Sequence, residues 1–250
     1  GNYICTNNTL MISGGTANFN GTGTVTPAVV NMDSGTLGGS QTVTVLSQMN
    51  WTGGTMTGSG RTFIPAGGTL NIASTFATVS LTGGRALENG GTILWTGGDF
   101  TMSSAVITNR AGALFEARNA LGLNYSSNPG SRFDNAGTFR KSVVVGTTTV
   151  GSGLAFNNYN TVEVQAGTLA LGGGGINSGT YEVLAGATLS LSGGAHNAGG
   201  GSSMTGAGNF TVTGGTTLTL GGLVNVTGTN TFNSSSTAND NRFARLLAAT

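Results

Sequence analysis

TVEVQAGTLAL (161–171), TYEVLAGATLSL (180–191) and NFTVTGGTTLTL (209–220) write one pattern three times. Each copy is a four-residue alternating run, a short turn and a second alternating run. Alternation sends every second side chain to the same face, the period of a half-buried strand and not of a helix. The copies begin at Thr161, Thr180 and Asn209, too close together for separate domains. Each therefore reads as one coil of a stack.

The composition fits a chain of short strands and tight turns. Glycine accounts for 46 of 250 residues, charged residues for 7% and apolar ones for 37%. Average usage is roughly 7% glycine and about 25% charged, and disorder would require far fewer apolar residues. A net charge of +1 gives no field to steer the chain to nucleic acid or anionic lipid. Cys5 is the single cysteine, which excludes an internal disulfide framework and a cysteine-rich zinc site. No apolar run is long enough for a membrane-spanning helix. The start at Gly1-Asn2, without Met or leader, is expected of a processed product or a piece of a longer protein.

The register extends upstream. WTGGTMT (51–57) and WTGGDFT (95–101) match at a spacing of two coils, and alignment on them places coil starts at Thr24, Gln48, Thr69, Thr92, Ala113, Thr138, Thr161, Thr180 and Asn209. The residue after each start is Val25, Met49, Leu70, Ile93, Leu114, Phe139, Val162, Tyr181 and Phe210, all apolar or aromatic. These form the expected inward ladder of a parallel sheet, with rungs about 4.8 Å apart. Two residues further on, Trp51, Ile72, Trp95, Val164, Val183 and Val212 suit an inward position, whereas Glu116 and Lys141 do not. Either the register slips between Ala113 and Lys141, or the two charges form a partly buried pair. Slippage is the preferred reading, because that interval also holds the irregular stretch NYSSNPGSR (124–132), where Asn-Pro-Gly breaks a strand.

Six of the basic residues (Arg85, Arg110, Arg118, Arg132, Arg140 and Lys141) cluster beside Glu88, Asp99, Glu116 and Asp134. They read as a solvated patch of mixed sign. In the outward column Arg140 beside Glu163 is a favourable pair, and Glu163 over Glu182 a repulsive one. The stretch AHNAGGGSSM (195–204) reads as an insertion or an extra short strand. Phe243, Leu246 and Leu247 follow Asp240 at helical spacing, so residues 239–250 read as a cap or linker segment after a β-helix over 1–238.

FRKS (139–142), TTTVG (147–151), FNNYNTVEVQAGTLALGGGG (156–175), SGTYEVLAGATLSLSGGAH (178–196) and GSSMTGAGNFTVTGG (201–215) resemble the strand repeats of bacterial secreted and surface proteins, of the autotransporter-passenger and filamentous-adhesin kind. The resemblance implies a right-handed parallel β-helix, export, and a surface, adhesive or scaffold role. It brings no catalytic motif.

Several residues invite a chemical reading. Parallel β-helices host enzymes that cleave acidic polysaccharides, and those need clustered carboxylates. Asp33, Asp99, Asp134 and Asp240 are dispersed over distant coils, so neither a catalytic pair nor a metal site is expected. His196, the single histidine, is expected in a solvated glycine-rich loop. Gly172 to Gly175 lack the Lys-Ser/Thr and following helix of a phosphate loop, and GGGGIN lacks the aspartate of a calcium-binding repeat. Threonine runs could form a flat hydroxyl array, but coil lengths vary too much for a regular lattice. Trp51 and Trp95 could stack on sugars, yet the register turns them inward. No motif requires a cofactor.

The expectation is a parallel β-solenoid of nine or ten coils, acting as a non-enzymatic extracellular or bacterial cell-surface structural protein. Its expected partners are copies of itself, stacked head to tail, or neighbouring repeats of one parent chain, with surface polysaccharide as a further candidate. Nucleic acid and membrane insertion are not expected. The alternatives are an adhesin or carbohydrate-binding module and, behind it, a carbohydrate-active enzyme.

Overall fold

A computed structural model describes residues 2–75, 78–126 and 130–233, together with the strand at 237–239. The described residues contain strands and turns but no helix, and all thirty strands belong to one hydrogen-bonded parallel system of about eleven turns. From Arg61–Ile64 to Thr217–Leu220 each strand pairs with the third strand before it and the third after it, so a turn has three faces. The first face carries, in order, Thr42–Thr44, Arg61–Ile64, Ala86–Asn89, Val106–Asn109, Arg132–Asn135, Ala155–Asn158, Gly175–Asn177, Ala195–Ala198, Thr217–Leu220 and Thr237–Asn239. The second carries Gln48–Trp51, Thr69–Ala73, Thr92–Gly97, Leu114–Ala117, Thr138–Lys141, Thr161–Val164, Thr180–Val183, Ser203–Gly206 and Leu223–Val226. The third carries Thr55–Met56, Val79–Thr82, Phe100–Ser103, Gly122–Tyr125, Thr147–Val150, Thr168–Leu171, Thr188–Leu191, Asn209–Val212 and Asn230–Phe232. At the N-terminal end two long strands, Tyr3–Asn18 and Val25–Gly38, each run along all three faces.

Four-residue strands follow from the chemistry of the repeat. An inward Val, Leu, Ile or Phe alternates with an outward Thr, Ser or Asn, and a Gly or Asn then turns the chain by one face. Burying each large apolar side chain is worth about 1.5–3 kcal/mol. Glycine is demanded where coils approach closely: a Cβ on Gly137 would lie 2.4 Å from the Ala113 carbonyl oxygen, and one on Gly179 only 2.1 Å from that of Asn160. In the middle of the stack the core is aromatic. Phe115 and Phe139 stack on the second face at 5.4 Å, Phe133 and Phe156 on the first at 5.1 Å, and the two stacks meet edge to face. That geometry suits the ring quadrupoles.

The inward ladder differs from its expected membership. Met49, Leu70, Ile93, Phe139, Val162 and Tyr181 do lie in one buried column of the second face. Between Ile93 and Phe139 the rung is Phe115, not Leu114, because that strand starts at Leu114 and pairs with Thr92 and Thr138. Leu114 is half-buried. Val25 is buried but on the first face, opposite Val43. Phe210 is buried on the third face against Leu189. The third copy of the pattern (209–220) thus sits one face further round than the other two. The long interval before it hides a regular rung, Ser203–Gly206, paired with Thr180–Val183. Counting that rung and the first turn raises the stack from nine or ten coils to about eleven. Local alternation is alike on all three faces, so the sequence repeat marks a strand without saying which face it occupies.

Of the two readings of residues 195–204, the strand holds and the insertion does not: Ala195–Ala198 is an ordinary first-face strand. Within the irregular stretch Asn124 and Tyr125 end one strand and Arg132 opens the next; Ser127, Asn128 and Pro129 lie outside the described residues. The cap residues Phe243, Leu246 and Leu247, with Asp240, also lie outside them.

Candidate functional site: buried polar ladders beneath a charged strip

The most organised polar feature is a column of asparagines at the ends of first-face strands. Asn89, Asn109, Asn135, Asn158 and Asn177 occupy successive rungs and are all buried. Each Nδ2 donates to the next Oδ1: 2.8 Å from Asn89 to Asn109 and from Asn109 to Asn135, then 2.9 Å from Asn135 to Asn158 and from Asn158 to Asn177. The same amides donate to the carbonyls of Leu114, Thr138, Thr161 and Thr180, which open the following second-face strands. The ladder thereby satisfies the backbone where the chain turns inside the core, as burial of polar groups demands. Sequence reasoning overlooked it. Its signal was present as Asn-x-x-Thr at Asn89, Asn135, Asn158 and Asn177, three residues before a strand start.

Two cations expected in solvent are instead fully buried. Arg85 fills the corner between the third and first faces, where it donates to Thr62 Oγ1 (3.0 Å) and to the carbonyls of Thr57 (3.2 Å), Arg61 (3.3 Å) and Gly39 (3.4 Å). Burial lowers its pKa to about 10. Lys141 stands in the inward second-face column between Ala117 and Val164. Its Nζ reaches back to the Val144 carbonyl at 2.6 Å, and burial lowers its pKa. This contact lies in a corner where Val143 has a φ of +68°, a backbone region that β-branched residues rarely enter. Val143 and Val145 are both exposed there.

Glu116 resolves the conflict seen in the sequence. The one-residue slip turns it outward, level with Leu94 and Arg140. It pairs with Arg118 at 2.8 Å and accepts from Ser142 Oγ at 2.6 Å. Burial pushes its carboxyl up, but Arg118, Ser142 and Arg140 together hold it below the usual value. The column continues through Arg140, which pairs with Glu163 at 2.7 Å, and Glu163 lies opposite Glu182. A second strip follows the first face: Glu88 joins Arg61 and Arg110, both cations lie over the Phe63 ring, and Arg132 pairs with Asp134. Apart from the buried Arg85 and Lys141 and from Asp99, the expected patch is thus a set of neutralised pairs. Such pairs contribute little each.

The other candidate residues are scattered. Trp51 and Trp95 are buried and meet Phe100 edge to face at 5.3 and 6.4 Å, so neither ring offers a sugar platform. His196 is not in a solvated loop. It is buried on an inward first-face rung between Gly175 and Leu218, with Nε2 3.0 Å from the Gly193 carbonyl, and burial lowers its pKa. Asp33 contacts Ser34, and Asp99 accepts from the Gly122 amide. Among the described residues no three His, Cys, Asp or Glu side chains gather as a metal site. Cys5 is half-buried on the first strand. Gly173 to Gly175 form the turn into a strand, with Gly174 and Gly175 at positive φ. Hydroxyls such as Thr55, Ser80 and Thr101 line the outer third face in register. A cleft of about 330 Å³ lies between the loop at 21–24 and residues 40–44, lined by Thr, Ser, Gly, Gln41 and Val25.

These features define a parallel β-solenoid with polar seams. No protein-family model, curated protein or solved structure matches the chain.

Proposed function

We propose that the chain is a non-enzymatic structural segment of an extracellular or bacterial-surface protein that works by stacking coils end to end. It does so either as part of a longer solenoid or as a head-to-tail homopolymer. The observation that carries the reading is the first turn. Tyr3–Asn18 pairs with Val25–Gly38 on one side, while its other edge carries no strand among the described residues. Ile4 and Met11, outward on that strand, are 61% and 58% exposed, whereas the matching positions Thr26 and Asn31 on the next turn are polar. Leu10 is only partly buried although its partner Val30 is fully so. An edge with apolar side chains and open backbone groups invites a further parallel strand. Contact between unlike ends propagates when its rotation does not close. The low charge, 17 formal charges on 250 residues, offers little repulsion against this. We take the winding as right-handed, the rule for parallel crossovers, and the resemblance to secreted strand repeats supports export.

Light scattering behind size-exclusion chromatography, with negative-stain microscopy, tests the reading. Mass that grows with concentration and filaments of constant width support it. A single monomer peak up to high concentration refutes self-assembly and leaves a stalk or a segment of a longer chain. The hydroxyl-lined cleft favours carbohydrate binding as the second reading, which a glycan array examines directly. Release of unsaturated products from pectin or alginate would overturn the non-enzymatic assignment.

A further inference from the structure

The asparagine ladder stops one rung short of what its own geometry would complete. From Asn89 to Asn158 every Nδ2 meets the next carboxamide oxygen and a backbone carbonyl. At Asn177 the next rung is Ala198. Asn177 Oδ1 accepts from Asn158 Nδ2 (2.9 Å) and from the Gly179 amide (3.2 Å), but its own Nδ2 has no partner in the protein. The residue is only 5% exposed, so bulk solvent does not reach that amide freely. Ala198 is shorter than an asparagine by the carboxamide, and a cavity of about 10 Å³ lies at this point. It is lined by Asn177, Ala198, Gly175, Tyr181, His196 and Met204 among others.

A cavity of roughly 10–15 Å³ holds one water if polar groups surround it. This one has the unused amide donor of Asn177, and His196 and Tyr181 are among the residues that line it. We propose that it is a binding site for a single buried water, which stands in for the missing sixth carboxamide and accepts the Asn177 Nδ2 proton. Leaving that amide unbonded in the interior costs more than ordering one water there. The same chemistry explains why the polar column can end inside the core. The carboxamides give way to Ala198 and then Leu220, and the water closes the series.

Nuclear Overhauser effects between solvent and the Asn177 side-chain amide of the wild-type protein test the site directly. A long-lived water cross-peak is expected, and its absence overturns the proposal. The variants Ala198→Asn and Ala198→Leu share one branched arrangement of heavy atoms, the leucine being the bulkier, but only the asparagine brings an acceptor for Asn177. Both should abolish the water cross-peak. Ala198→Asn should raise the melting temperature by a few degrees, and Ala198→Leu should fall below it. A leucine variant as stable as the asparagine variant, or more so, would mean that the cavity is an apolar void. Should both variants fail to fold, the wild-type cross-peak decides alone.

Discussion

Asn135, in the middle of the ladder, offers the sharpest measure of what the buried amides contribute. Its side chain accepts from Asn109 Nδ2 (2.8 Å) and donates to Asn158 Oδ1 (2.9 Å) and to the Thr161 carbonyl (2.8 Å). Asn135→Ala removes all three bonds. At about 1 kcal/mol net each, with a further loss for the space left by the carboxamide, the cost is about 3–4 kcal/mol. Asn135→Asp keeps the shape and still accepts from Asn109, but it turns an oxygen towards two oxygens in a fully buried site. Its cost should reach about 4–5 kcal/mol at neutral pH, since the carboxylate is stranded without a counter-ion. That variant's carboxyl pKa is raised on folding, so its deficit should shrink as the pH falls towards 4. Asn50→Ala is the control: Asn50 bonds Asn31 and Asn71 at 2.8 and 3.0 Å, but on the half-solvated outer face, where water replaces the lost partners. It should cost under about 1 kcal/mol. Urea unfolding followed by far-ultraviolet circular dichroism and by emission of the buried Trp51 and Trp95 gives all three values, with the slope checked for loss of cooperativity. An Asn135→Ala cost no larger than that of Asn50→Ala would refute the argument that the ladder bears stability.

Three other perturbations probe the core and its charges. Val162→Asp places a carboxylate between Phe139 and Tyr181 in the closed column and should abolish soluble expression; a folded variant of near-normal stability would contradict the ladder assignment. Lys141→Met removes a buried cation whose pKa is lowered on folding, so it should raise the melting temperature at pH 7. The unfolded lysine keeps its proton longer than the folded one, so that advantage should narrow as the pH rises towards 10.5, which a series of melts would reveal. His196 has its pKa lowered from 6.5 by burial, so the unfolded chain binds the proton more readily. Stability should fall as the pH drops below 6.5 and level off once the folded histidine also protonates, and His196→Leu should flatten that part of the curve.

How much of this was legible follows from what a linear repeat encodes. Six rungs of the second-face column and the Trp51–Trp95 match could be read directly, because alternation and spacing carry them. The assignment of Val25 and Phe210 failed for one reason: the three faces share one alternation, so a strand is visible where its face is not. Coil length adds to the ambiguity. Second-face strands start 19 residues apart at Thr161 and Thr180, but 24 apart at Leu114 and Thr138. Glu116 could be suspected of a register slip because a charge broke an apolar column. Lys141 broke the same column and yet belongs there, since its long stem lets Nζ reach the Val144 carbonyl at the turn. Polarity alone therefore cannot separate a slipped residue from a buried one. The asparagine ladder was hidden for the opposite reason: asparagine is so common in the turns of this chain that its recurrence looked like ordinary turn chemistry.

The distribution of polar order along the axis bears on assembly. The inner ladder runs from Asn89 to Asn177, the aromatic stacks from Phe115 to Phe156, and the ion pairs from Arg61 to Glu163. All three lie in the middle of the stack. There register is fixed several times over, because shifting one coil by a residue would break amides, rings and charges together. The first turn has its backbone ladder, one Asn2–Thr24 bond, a Tyr3–Phe19 ring contact and a thin apolar lining, with Tyr3, Ile4 and Met11 exposed. Such a turn gains most from a further coil, which would pair its open edge as Val25–Gly38 pairs the other. Deleting the first turn would open the edge of Val25–Gly38 and uncover Val30, Met32 and Leu37, which are buried beneath it in the full chain. If the open edge drives association, the shortened chain should still assemble, now through these side chains. Replacing Ile4 and Met11 with lysine leaves the inner lining untouched but places charge on the edge, and it should lower the mass seen by light scattering. Unchanged mass in that double variant would show that the first turn is not the surface at which coils meet.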